Sequence, residues 1–119
     1  MTRIVINLPI APKLPLSAGI RAGDFIFVSG QVGIVDADGK EIKTLEAQVK
    51  QSLENVKSVL NAGGASMDDV VKVTVFLRNQ QDFAKMNEIY KGYFPTDKPA
   101  RSTIATNLVQ PNILVEIEL

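Results

Sequence analysis

Two short stretches carry the residues with the most chemistry to offer. One is "KPARSTIA", Lys98 to Ala105, with Arg101 near its start; the other is "ILVEIEL", Ile113 to Leu119, with Glu116 and Glu118 between apolar residues. An arginine presents a planar fork of donors that fits a carboxylate bidentately. A glutamate in a restricted pocket can orient or deprotonate a water. Together they describe a small-anion site with a water at one end. Composition and pattern alone favour a structural ion pair of the same two residues across an oligomer interface, because charges that leave water are usually paired. The anion-site reading stays open beside it.

The rest of the inventory narrows the chemistry by subtraction. The chain contains no histidine and no cysteine. Serine–histidine pairs, thiolate nucleophiles, disulfides and thiolate metal sites are therefore excluded. Ser17 and Ser102 have no imidazole to activate them. Asp36, Asp38 and Gly39 look like the opening of a calcium loop, but the closing glutamate is missing and a turn is the better reading. Ser29-Gly30-Gln31 either presents backbone groups to a ligand or is an ordinary bulge. Asn87 is a site amide or a helix-surface amide. Tyr90 and Tyr93 read as core and interface aromatics. No metal or cofactor is called for.

Lysine plus arginine balances aspartate plus glutamate at 13 each, for a net charge of zero. That argues against a nucleic-acid partner, which needs clustered basic residues. Prolines at 9, 12 and 15 break any helical signal or anchor near the start, and no apolar run approaches the roughly 20 residues of a membrane span. The expectation is a cytoplasmic protein without a membrane partner. Its 119 residues form one domain, 1–119.

These residues need a scaffold, and the chain supplies one in pieces. "RIVINL" from Arg3 reads as a short strand, and Pro9 to Pro15 as an extended loop. "DFIFVSGQV" from Asp24 reads as a buried strand with a bend at Gly30, and "DADGKE" from Asp36 as a hairpin turn. Leu45, Val49, Leu53, Val56 and Leu60 make one apolar stripe on a helix capped by Thr44 and stopped at Gly63-Gly64. "DVVKVTVFLRN" from Asp69 is a strand, with Val71, Val73, Val75 and Leu77 on one face. A second helix is expected from 82 to 94, and two more strands at 101–106 and 113–119.

This order gives an α+β fold, a mixed sheet with two helices on one face. The other face retains Val70, Phe76 and Leu114, more apolar surface than a monomer usually exposes, so a homo-oligomer is expected. In the last strand Ile113, Val115, Ile117 and Leu119 should pack under the helices, which turns Glu116 and Glu118 to the open face. If the last two strands pair as a hairpin with Ile104 in the core, Arg101, Thr103 and Ala105 join Glu116 on that open face.

The ordered run of "RAGDFIFVSGQV", "QVKQSLENVKSVLNAGGASMDDVVKVTVFLRN", "DFAKMNEIYKGYF", "PARSTIA" and "VEIEL" resembles the RidA (YjgF) family over almost the full chain. The resemblance implies a chorismate-mutase-like fold assembled as a homotrimer, with ligand clefts between subunits. It also implies hydrolytic deamination of reactive enamines and imines, such as 2-aminoacrylate, to 2-oxoacids and ammonia, without a cofactor. On that likeness Arg101 binds the substrate carboxylate and Glu116 positions the attacking water. Gly30 lies against the ligand, Asn87 lines the pocket, and the backbone amide of Thr103 donates to it. The chain departs from well-known deaminases at two positions. Leu16 stands where they have a tyrosine, and Thr103 where they often have a cysteine. Losing the tyrosine hydroxyl removes a polar contact, which bears on substrate range and on activity itself.

Three functions compete: an imine/enamine deaminase, a non-catalytic sensor of small carboxylates using the same Arg101 cleft, and an RNA-cleaving or translation-inhibiting protein. Neutral charge and absent histidine weigh against the third. Release of ammonia and 2-oxoacid from fresh 2-aminoacrylate separates the first two.

Overall fold

The computed structural model describes residues 2–119. Two runs of strands meet under one long helix. β1 (Arg3–Ile6), β2 (Gly19–Ala22) and β3 (Phe25–Val28) form an antiparallel meander. The second sheet has β4 (Gln31–Val32) at one edge, then β7 (Val115–Glu118), β5 (Lys72–Leu77) and, at the other edge, β6 (Ala100–Ala105). The sheets join where Val28 and Leu119 exchange backbone hydrogen bonds of 2.5 and 3.4 Å.

The first helix, α1 (Leu45–Ala62), forms where the stripe places it. The Thr44 hydroxyl caps it by accepting from the Ala47 N–H at 3.3 Å. Leu45, Val49, Leu53, Val56 and Leu60 are all buried against the sheet, where Val73, Val75, Leu77, Val115 and Ile117 supply the facing layer. Each such side chain contributes about 1.5–3 kcal/mol on leaving water. α2 (Phe83–Tyr90) packs on α1 and buries Met86 and Tyr90. It ends a turn before the expected 94, in a 3-10 turn at Lys91–Tyr93.

Both helices cover one face of a mixed sheet, as the sequence implies. The hairpin at Asp36 forms too: its carboxylate accepts from the N–H groups of Asp38 and Lys40, each at 2.9 Å, and Val35 bridges Glu41. Three local expectations are corrected. The stretch from Asp24 is two strands, because the chain leaves the first sheet at Ser29-Gly30 and enters the second at Gln31. β2, with its turn into β3 at Gly23 (φ +60°), is an additional strand. Val71 precedes β5 and is exposed. Val70 and Leu114 are half-buried and touch the core, and Val70 also lines a cavity with the open-face residues Thr74 and Glu118.

The largest correction concerns the last two strands, which do not pair. β5, α2 and β6 form a βαβ crossover, so β6 lies parallel to β5, in register Val73↔Arg101, Val75↔Thr103, Phe76↔Ile104. β7 returns antiparallel on the opposite edge of β5. Arg78 secures the connection between them: its guanidinium donates to the carbonyls of Ile113 (2.8 Å), Gln110 (2.6 Å) and Leu108 (3.3 Å). Because residues paired across strands share a face, Ile104 sits with Phe76 on the open face, 46% exposed, and is not core.

Under α1 lies one buried polar side chain with all its bonds made. Gln48 is fully buried; its amide donates to the carbonyls of Ile42 and Asn112 and accepts from the Leu114 N–H, each at 2.9 Å. It ties the helix to the loop that leads into β7.

Candidate functional site

The structure divides the candidate residues into two groups on opposite faces of the second sheet. Arg101 and Thr103 pair with Val73 and Val75, so they point to the helix-covered side of edge strand β6. Glu116 pairs with Phe76 and points to the open side. The expectation that Arg101 shares the open face is therefore overturned. It required a hairpin of the last two strands, and β5 lies between them.

The first group gathers under α2. Phe83, Asn87 and Tyr90 recur at i, i+4 and i+7, one face of that helix. The Arg101 guanidinium carbon lies 4.8 Å from the Tyr90 ring centre and 5.6 Å from that of Phe83. It stacks on the tyrosine ring without meeting hydrogen-bond geometry to the hydroxyl. Three buried polar atoms here have no hydrogen-bond partner within the chain: Asn87 Oδ1, Tyr90 Oη and Thr103 Oγ1. Burial pushes the Tyr90 hydroxyl above its ordinary pKa, against the opposing pull of Arg101, so the phenol stays protonated. An uncompensated cation beside unpaired donors and acceptors suits a small polar anion.

The second group gathers where β3 passes to β4. Gly30 lies directly against the Glu116 carboxylate: a β-carbon there would fall on Glu116 Oε2. The bend is held by Ser29, whose hydroxyl donates to the Ser17 carbonyl at 2.6 Å and whose N–H donates to the Ala18 carbonyl at 3.0 Å. Those bonds bring the exposed loop carrying Leu16 beside the bend. Burial and the neighbouring charge of Glu118 both raise the Glu116 pKa.

The intrachain ion pair of Arg101 with Glu116 is not formed. Among the described residues the one ion pair is Lys91–Glu88, 3.0 Å apart on the surface. Tyr93 is likewise structural, donating to Glu54 Oε2 at 2.6 Å. The Ser102 hydroxyl accepts from Lys72 Nζ at 2.9 Å. A cavity of about 450 Å³ opens elsewhere, between β3 and the start of β5, and none of the six candidate residues lines it. Sequence reasoning placed Tyr90 and Phe83 as apolar residues and missed their contact with Arg101. The signal was present: their i, i+7 spacing brackets Asn87.

Known proteins resemble this chain along most of its length. A family model described as Endoribonuclease L-PSP matches residues 7–119. A RutC family protein of Pyrococcus horikoshii is 45% identical over 91% of this chain and 88% of its own. A protein of Dermatophagoides farinae named 2-iminobutanoate/2-iminopropanoate deaminase is 37% identical over 96% of this chain and 91% of its own. The solved structure of the Escherichia coli YjgF gene product superposes with a TM-score of 0.88 at 33% identity, over 97% of this chain and 94% of that one.

Proposed function

Because the chain belongs to the RidA/YjgF (L-PSP) family, we propose that it hydrolyses short 2-imino acids, and the enamines that tautomerise to them, to 2-oxoacids and ammonia. The observation that carries this reading is Arg101: a guanidinium with no carboxylate partner, set among the unpaired buried atoms of Asn87, Tyr90 and Thr103. Its fork takes the substrate carboxylate, with the Thr103 amide and Asn87 beside it. The deaminase name of the mite relative supports the same substrate class. Zero net charge gives no comparable support to an RNA substrate.

The reaction asks little of the protein, because a protonated imine is already electrophilic. Water attacks C2, and Glu116 takes a proton from it as the C–O bond forms. The resulting carbinolamine expels ammonia once its nitrogen has received that proton; the hydroxyl proton then passes to the Glu116 carboxylate and on to the departing ammonia, and C2 becomes the carbonyl of the 2-oxoacid. One water is consumed and one ammonia released. Arg101 contributes orientation and charge compensation. Glu116 contributes general base help, typically worth about 10²–10⁴-fold.

Within one chain, Arg101 and Glu116 face opposite sides of a sheet. A ligand of a few heavy atoms cannot touch both. We therefore place the complete site between copies, the Arg101 edge of one chain against the Gly30–Glu116 face of the next, in a homotrimer. Leu16 lies beside the second half and leaves that wall apolar, which favours substrates with a short alkyl side chain.

The test is ammonia and 2-oxoacid release from freshly generated 2-aminoacrylate and 2-iminobutanoate. Wild type should accelerate both. Arg101→Ala should remove the acceleration while leaving the fold intact, and Arg101→Lys should recover little, since a point charge lacks the fork. Wild type indistinguishable from buffer would overturn the reading.

A further inference from the structure

We infer that Tyr90 and Phe83 are positioning residues that hold the Arg101 guanidinium in one orientation for an incoming carboxylate, an inference that rests on the carboxylate-binding role proposed for Arg101. The two rings lie two turns apart on one face of α2, about 10 Å along the helix. The guanidinium carbon is 4.8 Å from one ring centre and 5.6 Å from the other. It therefore sits between them, within the roughly 6 Å over which a ring quadrupole attracts a cation.

This arrangement does something a carboxylate partner cannot. A carboxylate would fix the guanidinium by occupying its N–H donors and cancelling its charge. Aromatic faces restrain the cation through its charge and consume no donor, so the fork stays free for a ligand. The restraint is itself held in place. Tyr90 is only 5% exposed and packs on Phe94 with ring centres 4.9 Å apart, so its ring cannot swing away. Phe83, at the first position of α2, is exposed. Ordering a long side chain before binding lowers the entropy lost on binding.

The experiment compares Tyr90→Phe, Tyr90→Leu and Phe83→Leu with wild type by two readouts. One is calorimetric affinity for 2-oxobutanoate, the reaction product, set beside KM and kcat on 2-iminobutanoate. The other is the NMR order parameter of the Arg101 Nε–H group, which needs no ligand. Tyr90→Phe keeps the ring and should match wild type in both. The two leucine variants should bind 2-oxobutanoate about 3- to 30-fold more weakly, raise KM with little change in kcat, and lower the Arg101 order parameter. Folded leucine variants with wild-type affinity and wild-type order would overturn the inference. So would a Tyr90→Phe variant as impaired as Tyr90→Leu, which would assign the effect to the hydroxyl. Should Tyr90→Leu fail to fold, Phe83→Leu alters an exposed ring and gives the same reading. Should wild type neither bind 2-oxobutanoate nor release ammonia, the proposed function fails by itself. The Arg101 order parameter still decides whether the rings position the cation.

Discussion

At the scale of single residues, Glu116 is where structure and proposed chemistry meet most directly. Its carboxyl is raised by burial and by Glu118 two residues on, which points to the same face. A general base works only above its pKa, so the rate should climb with pH along an acid limb set by the Glu116 carboxyl. Glu118→Gln removes the like charge and should move the limb to lower pH. Glu116→Gln should abolish the limb and slow turnover by about 10²-fold, with affinity for 2-oxobutanoate nearly retained. A pH–rate profile of the three proteins checks both, and equal turnover for Glu116→Gln would remove it from the mechanism. The same shift has a sign for stability. A carboxyl raised by folding favours the fold below its unfolded pKa, and that contribution is lost as pH climbs through the raised value. Glu116→Gln should accordingly flatten the fall in stability across that window.

At the scale of elements, the sequence was most legible where one pattern determines one structure. The stripe from Leu45 to Leu60 gave a helix with its cap at Thr44, and alternation in "ILVEIEL" placed Glu116 correctly on the open face. Parity within a strand is local information. Which strand lies beside which is not, and that is why Arg101 was assigned to the wrong face. The α2 crossover sets β6 parallel to β5, and no residue in "PARSTIA" records it. The β2–β3 hairpin was readable from Gly23-Asp24, a favoured two-residue turn. Gln48 was not, because a glutamine on a helix ordinarily faces water. Its three bonds predict a large effect. Gln48→Leu removes three hydrogen bonds, to the carbonyls of Ile42 and Asn112 and from the N–H of Leu114, at about 1 kcal/mol each. We expect a loss of roughly 3 kcal/mol or more, read as a lower urea midpoint with unchanged m-value.

At the scale of the whole molecule, the open face is the outstanding feature. It carries Phe76 and Ile104 beside Glu116, and the first sheet adds exposed Phe25 and Phe27. Apolar surface of that kind ordinarily marks an interface. Sedimentation should return three times the chain mass at micromolar concentration, and a stable, well-folded monomer would refute the assembly. The split of the candidate site across the sheet has one more consequence, and it is genetic in form. If each cleft takes Arg101 from one copy and Glu116 from its neighbour, two inactive alleles can rescue each other. Arg101→Ala chains still offer the glutamate, and Glu116→Gln chains still offer the arginine. Co-expressed in equal amounts and assorted at random around a ring, they should rebuild about one intact cleft in four. Each variant alone would have none.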